Sequence, residues 1–447
     1  MSIELARLDA TEFRAVIRER EREGFMAPTL DAATMHRLEA LFGRSINAQD
    51  AVREIVADVR ARGDVALREW SLRIDGVDVA SSRVSPAELE QAWGELDPAV
   101  QHALAAAAQR LREFHALQVD TADRGAQGAW LRPVALGRVG CYVPGGRAAY
   151  PSTVLMSVIP AQVAGVGRIV VTSPPAPGGG VHPLVAASAH LLGITEVIAA
   201  GGAQAIAALA YGTESIERVD KVVGPGNAFV TLAKHEVFGA VGIDQLAGPS
   251  EILVIASEGA NARLIVADLV SQLEHDPLAW AVCLTDQASL AAVVAAEFAT
   301  VAGDAARSEI IALAAGRHAA VVHCGSLSEC IELAAGFAPE HLSLQGAAAE
   351  GMVEQVRNAG AVFIGALSPV SMGDYIAGPN HTLPTQAAAR YRGPLAVMDF
   401  VRWPSFVRLS DAEFDMLAPV AVCLARAEGL QAHEAAIQAR QRVRGGA

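Results

Sequence analysis

The stretch GRIVVTSPPAPGGGVHPLVAASAHLLGITEVIAAGGAQAIAALAYGTESIERVDKVVGPGNAFVTLAKHEVF, residues 167–238, decides the fold. Residues 167–172 form a short run of β-branched side chains that ends in turn formers, and so predict a strand; 183–192 carry the wider apolar spacing of a helix. The alternation then repeats as strand 195–199, helix 203–210, strand 218–223 and helix 228–238. Repeated β-α units require a parallel sheet with right-handed crossovers, and they place glycine loops at the carboxyl ends of the strands. Those loops are Gly201-Gly202-Ala203-Gln204 and Gly224-Pro225-Gly226-Asn227, while PPAPGGG at 174–180 is a loop inside the set rather than a boundary.

Working outward, a second set of strands is predicted at 251–255, 280–285, 319–322, 341–344 and 361–364, with helical patterns between them. From residue 5 to about 118 the apolar spacing is helical, as in AQDAVREIVADVRARGDVALREWSLRI, with a stop expected at Gly63. After residue 398 the alternation ends, and GLQAHEAAIQARQRVR reads as an exposed terminal helix. The expected fold is α/β, with two Rossmann-like parallel-sheet domains, a helical N-terminal region and a C-terminal tail. The expected boundaries are an N-terminal helical segment at 1–25, a discontinuous larger domain at 26–138 plus 250–395, an inserted domain at 139–249 and a tail at 396–447. A chain of 447 residues exceeds the size at which one core stops growing, so clefts between such domains are natural places for sites.

Hydrophobic residues make up 52% and charged residues 19%, the composition of a compact globule rather than a disordered chain. A formal net charge of -14 and the lack of a basic stripe argue against binding nucleic acid, because phosphate affinity needs clustered Lys and Arg. No apolar run reaches the roughly 20 residues of a membrane span. The N-terminus mixes both charge signs, and the five cysteines contain no CxxC pair, so a cytoplasmic protein without a disulfide framework is expected.

The sharpest chemical signal is Ser271-Gln272-Leu273-Glu274-His275-Asp276-Pro277, at the end of a helix predicted to begin near Asn261. Gln272 and His275 lie three apart and share a helical face, so they can act as a cap, as a surface pair or as two donors to one metal ion. Gly373-Asp374-Tyr375, Gly378-Pro379-Asn380-His381 and Glu428-Gly429-Leu430-Gln431-Ala432-His433 each set a carboxylate or imidazole beside Gly or Pro, where a turn can carry it into a cleft or leave it in solvent. In Ala338-Pro339-Glu340-His341-Leu342 a carboxylate adjoins an imidazole at a helix-to-strand junction. Neighbours on an extended backbone point to opposite faces, which favours two separate proton-transfer roles over a Glu-His dyad. Gly248-Pro249-Ser250-Glu251 precedes a strand and reads as a turn or a substrate loop. The dinucleotide fingerprint is not met, because GPGNAF has Phe229 where the third glycine belongs.

Taken in order, GGAQAIAALAYGT, KVVGPGNAFVTLAK, VGIDQLAGPSEILVIA, DLVSQLEHDP, FAPEHLSL, GDYIAGPNHTLPT and EGLQAH make a chain that resembles the histidinol dehydrogenase family from its N-terminal region to its last helix. The resemblance implies zinc held by Gln272, His275, Asp374 and His433, and an acid/base pair of Glu340 and His341. It implies substrate contacts from Ser250, His381 and Glu428, with Gln272, His275, His341, Asp374 and His433 also touching substrate. NAD would lie near Tyr142 of CYVPGG, Gln204 and Asn227. The family also implies a homodimer in which the tail crosses over, so that Glu428 and His433 complete the partner's site.

The reaction so implied is a zinc-dependent four-electron oxidation of L-histidinol through bound L-histidinal to L-histidine with two NAD, the last steps of histidine biosynthesis. Two departures stand out: Arg73-Ile74-Asp75-Gly76 replaces a more usual aromatic before Asp, and YRGPLAVMDFVRWPSF at 391–406 differs from the commoner Ser-Gly-Leu pattern. The second, with Arg390, Arg392 and Arg402 nearby, motivates an alternative: a paralogous zinc/NAD dehydrogenase for another small alcohol such as a sulfonated diol. A silent α/β binding protein, or a metal-dependent hydrolase without a nicotinamide step, is the reading from another class. A thiohemiacetal at Cys141 is not required by any of these.

Overall fold

The computed structural model describes residues 3–23, 30, 32–78, 82–120, 122–126, 128–145 and 149–444. Residues 24–29 and Gly146, the last residue of CYVPGG, lie outside them. The chain divides into two units, Met1–Gln118 with Leu136–Phe400, and Val119–Ala135 with Val401–Ala447.

The first unit is built on two six-stranded sheets. One has the order Gly242–Ile243, Lys221–Val223, Arg138–Tyr142, Arg168–Ser173, Glu196–Ala199 and Arg83–Val84. It is parallel except for the Arg83–Val84 edge. The chain therefore lays down three strands in one direction and then returns to the other side of the first. That reversal opens a crevice between Arg138–Tyr142 and Lys221–Val223, where ligands of open α/β sheets commonly bind.

The second sheet repeats the plan, with Ala319–His323, Trp280–Thr285, Glu251–Ala256, His341–Gln345 and Ala361–Ile364 in that order, all parallel. Ala6–Asp9 adds an edge strand beside Ala319–His323. That edge strand falls where the spacing reads as helix; four residues are too few to reveal a period of two, and only pairing with a distant strand makes the segment extended. The central strand Arg138–Tyr142 is likewise hidden from pattern reading, because every residue in it is buried and no alternation survives.

Both sheets are covered on both faces, as all-parallel sheets must be. In the second sheet Ile252, Val254 and Ala256 point to one core, with helices Ala262–Leu273 and Ser308–His318. Leu253 and Ile255 point to the other, against Phe13 and Ile17 of helix Ala10–Glu23 and Phe337 of helix Leu327–Phe337. The N-terminal helix is thus a packed layer of this sheet, held by Phe13, which is fully buried, and by its stacking on Phe337 at 5.8 Å.

The second unit is a small antiparallel assembly. Ser405–Val407 pairs with Ala129–Leu131, which also pairs with Arg124–Ala126, and Val401–Arg402 pairs with Val134–Ala135. Helix Asp411–Ala427 starts with a Ser410/Glu413 capping box, and helix Gln431–Arg444 has no buried residue. Among the described residues no helix is long and apolar enough to cross a membrane.

Candidate active site

The amino-terminal edge of the second sheet collects most of the chemistry-bearing side chains. Glu251 opens one strand and His341 opens its neighbour, with Ile252 and His341 in register. Glu340 stands one residue before that strand, and helix Leu327–Phe337 delivers it through Ala338, whose φ of 50° makes the sharp left-handed stop that Pro339 then prevents from re-entering helix. Helix Ala262–Leu273 runs back to the same edge and ends with Gln272 buried; His275 lies just past its end, its N–H donating to the Gln272 carbonyl at 3.3 Å. The two donors are therefore gathered by a terminal turn rather than by one continuous helix face.

Hydrogen bonding fixes the state of His341. Its Nδ1 lies 2.8 Å from the Glu251 carbonyl oxygen, which can only accept, so Nδ1 carries the proton and Nε2 keeps a free lone pair. The Glu340 carboxylate lies 3.5 Å from that Nδ1 and accepts from the Glu251 N–H at 2.8 Å. Glu340 and His341 thus come closer than opposite-face geometry suggests, yet they meet at the nitrogen already engaged with a carbonyl. His381 is arranged in the same way, with Nδ1 2.9 Å from the Asp374 carbonyl oxygen.

The loop carrying His381 is stitched to the first sheet's helix Pro151–Val163: Asn380 Nδ2 donates to the Met156 carbonyl at 2.7 Å, and Asn380 Oδ1 accepts from Thr382 N–H at 2.9 Å. Gln245 donates to the Leu383 carbonyl at 2.6 Å, and Gly248 N–H to the Thr385 hydroxyl at 2.7 Å, which ties the Ser250 loop to the same segment. Asp374 rides on helix Val370–Tyr375, where Gly373 lies so close to the Phe363 ring that a Cβ would meet it at 2.7 Å. Phe363 in turn packs 6.0 Å from the His341 ring.

Burial governs the titration of this cluster. It pushes His341 down to about 4, helped by His275 and His381 and opposed by the bond to Glu251. His381 is brought to about 4 by the same burial, opposed by its bond to the Asp374 carbonyl. Burial raises Asp374 to about 6 and lifts Glu340 well above the ordinary carboxylate range, where Glu251 and Asp374 add repulsion. His275 is also lowered, chiefly by desolvation, although much of its surface is open. A neutral imidazole with a free Nε2, and a neighbouring carboxyl group whose hold on a proton is strengthened by burial, can each exchange a proton with a substrate.

The sheet with the central Arg138–Tyr142 strand presents its crevice between Tyr142 and the Gly224–Asn227 loop. Tyr142 is buried, its hydroxyl accepting from Gly202 N–H at 3.2 Å, and burial pushes its phenol up to about 12. Gln204 is buried, with Nε2 3.4 Å from Asp75 Oδ2 and no partner for Oε1 among the described residues. Asn227 is exposed and caps helix Ala228–Val237, accepting from Phe229 N–H at 3.1 Å and Val230 N–H at 3.2 Å. Behind this loop a buried Lys234–Asp244 ion pair holds both sides of Gly224: Lys234 donates to its carbonyl at 2.9 Å, and Asp244 accepts from its N–H at 2.7 Å. Cys141 is fully buried and its thiol is raised by desolvation, a poor nucleophile.

The first unit thus brings together Gln272, His275, Glu340, His341, Asp374 and His381 near Ser250, while Glu428 and His433 belong to the second unit and are exposed there. Among the described residues no three His, Cys, Asp or Glu side chains gather closely enough to hold a metal ion. Residue-type reading misses Glu251 and Arg20. Glu251 is quoted in a turn motif, but its part in the site comes from pairing with a strand 89 residues away. An acid at the first position of a wholly buried strand is the signal that could have found it.

A sequence model of the family described as histidinol dehydrogenase matches residues 43–441. A histidinol dehydrogenase of Synechococcus sp. is 44% identical over 427 residues, covering 94% of this chain and 96% of that one. The Bacillus subtilis histidinol dehydrogenase is 44% identical over 415 residues, 89% of this chain and 96% of its own length. The crystal structure of histidinol dehydrogenase from Elizabethkingia anophelis superposes with a TM-score of 0.88 at 31% identity, over 100% of this chain and 99% of that one.

Proposed function

This chain belongs to the histidinol dehydrogenase family and is an oxidoreductase, and on that premise we propose that it carries L-histidinol through L-histidinal to L-histidine with zinc and two NAD. The observation that carries the reading is the His341 Nδ1 bond to the Glu251 carbonyl, which leaves Nε2 as a free base on the side of the ring away from the Nδ1 that Glu340 approaches. The net reaction consumes one alcohol, one water and two NAD, and yields one carboxylate, two NADH and three protons.

The residues fit a metal. Gln272 is buried, and desolvation raises the Asp374 carboxyl and lowers the His275 imidazole, a setting in which a bound cation would satisfy all three side chains. Their oxygen and nitrogen donors suit zinc, with His433 from a second copy of the chain as the fourth ligand. Zinc bound there would act as a Lewis acid that orients the substrate's imidazole and amine. NAD, the hydride acceptor, would lie at the crevice by Tyr142, Gln204 and Asn227, where the N-terminus of helix Ala228–Val237 offers a polar contact.

His341 Nε2 takes the hydroxyl proton in the first oxidation. Glu340 then draws a proton from water as that water adds to the aldehyde, and the hydrate is oxidised in turn. His381 and Ser250 contact the substrate, as does Glu428 of the second copy, whose tail crosses over in a homodimer. Holding the aldehyde between the steps keeps it from solvent, and positioning supplies much of the rate. Two of the three arginines that suggest an anionic substrate are engaged, Arg392 with Asp399 at 2.5 Å and Arg390 with Glu21 at 2.6 Å, and Arg402 is exposed in the second unit. That favours histidinol over a sulfonated diol.

The test is NADH formation from L-histidinol and NAD, after chelation and again after zinc is added back. Two NADH per histidine, lost on chelation and restored by zinc, is the expected result. Turnover that survives chelation would remove the metal from the reading, and no turnover of histidinol in a zinc-loaded enzyme would turn attention to other small alcohols.

A further inference from the structure

The Glu340–His341 pair hangs on a turn that is costly to hold. Ala338 takes a left-handed conformation at φ 50°, ψ 65°, which is unfavourable for a residue with a Cβ. Pro339 has no N–H to anchor the turn. The Phe337 carbonyl, at the end of helix Leu327–Phe337, is among the groups a helix leaves without an internal partner.

One side chain meets both flanks of this turn. Arg20, near the end of helix Ala10–Glu23, donates to the Phe337 carbonyl and to the Glu251 carboxylate. Its guanidinium lies 3.9 Å over the Phe337 ring, and the ion pair is nearly dry, with 7% of the Arg20 side chain and 1% of the Glu251 side chain exposed. Glu251 passes the restraint on through four bonds. Its carboxylate accepts from Glu340 N–H at 3.2 Å and from Gln386 N–H at 2.8 Å, its N–H donates to the Glu340 carboxylate, and its carbonyl accepts from His341 Nδ1.

We propose that Arg20 is a positioning residue for the oxidation: by gripping the Phe337 carbonyl and the Glu251 carboxylate it clamps the Ala338–Pro339–Glu340 turn from both sides and sets the aim of Glu340 and His341. The N-terminal helix is then part of the active-site machinery. Docking of that helix does not need the arginine, because Phe13 and Ile17 bury its apolar face independently. A lysine cannot replace the fork, since the two acceptors lie on different elements and a guanidinium reaches both with rigid, separate N–H groups. The proposal rests on the acid/base roles given above to Glu340 and His341.

The experiment compares Arg20→Met and Arg20→Lys with Arg14→Met. Arg14 sits on the same helix and pairs with Glu329 of helix Leu327–Phe337 at 3.2 Å, away from the turn. Arg20→Met is expected to lower kcat for histidinol by about 10- to 100-fold, the scale of an ångström of misplacement, with little change in KM. Arg20→Lys should recover only part of the loss, added methylguanidine should restore activity to Arg20→Met, and Arg14→Met should behave as wild type. In substrate-free enzyme, 15N-histidine spectra should show His341 held with its proton on Nδ1 in wild type and as a mixture of tautomers in Arg20→Met.

An unchanged kcat in Arg20→Met, an equal loss in Arg14→Met, or identical His341 spectra would overturn the proposal. If Arg20→Met does not fold, Arg20→Lys carries both comparisons. If wild type does not oxidise histidinol, the functional reading fails at its own control while the spectra still decide the clamp.

Discussion

Glu251 and Glu340 exchange main-chain to carboxylate hydrogen bonds: Glu251 N–H donates to Glu340 Oε2 at 2.8 Å, and Glu340 N–H donates to Glu251 Oε2 at 3.2 Å. Two buried carboxylates in such contact repel, and the ion pair of Glu251 with Arg20 offsets that repulsion, while burial strengthens the hold of Glu340 on a proton. Glu251 is therefore engaged in an ion pair, whereas Glu340 is available to exchange a proton.

Glu340→Gln keeps an oxygen to accept from Glu251 N–H but cannot take a proton. Aldehyde oxidation is expected to fall by about a hundredfold or more, and alcohol oxidation by much less, when histidinal and histidinol are supplied separately. Equal losses in the two half-reactions would remove Glu340 as the water activator.

His433→Ala is expected to lower bound zinc per subunit, measured by metal analysis after dialysis, without lowering Tm of the metal-free protein, because His433 is exposed in its own unit. Unchanged zinc content would strike it from the ligand set.

His318 stacks on Trp280 at 4.3 Å, and burial, with Arg317 and Arg20, brings its pKa to about 4 from an ordinary 6.5. The unfolded chain binds this proton below pH 6.5 and the folded chain does so only near 4, so this group costs stability progressively as pH falls through that window and costs nothing above it. His318→Phe, which keeps a ring on Trp280, should therefore gain in Tm over wild type as pH drops from about 6.5 to 4. A Tm difference that stays flat with pH would show that the group is not held neutral.

Gly373→Ala would drive a methyl into the Phe363 ring. A destabilisation of about 1–3 kcal/mol is expected from denaturant unfolding, with a loss of activity because Phe363 packs on His341 and Asp374 follows the glycine. Wild-type stability and turnover would mean that the ring has room to move.

Lys234→Met leaves Asp244 buried beside Gly224 without its counter-charge, and is expected to cost about 3–5 kcal/mol. Adding Asp244→Leu should recover part of the folding loss while the KM for NAD stays high, since the Gly224 N–H loses its acceptor. A low KM in the double variant would detach this ion pair from the cofactor crevice.

The sequence by itself determined the parts whose signal is local. Trp280–Thr285 and Ala361–Ile364 have the bounds that their apolar runs predict, helix Ala48–Arg62 stops at Gly63, and helix Gln431–Arg444 is exposed as its polarity requires. Motif order placed the chain in its family. Tertiary structure alone decided that Ala6–Asp9 is a strand, that Arg138–Tyr142 is the central one, and that Arg20 reaches Glu251 across 231 residues of sequence. It also decided which nitrogen of His341 carries the proton. A residue's spacing records only the face it shares with near neighbours, whereas these features arise from strand pairing and burial between distant segments, whose hydrogen-bond partners no local pattern contains.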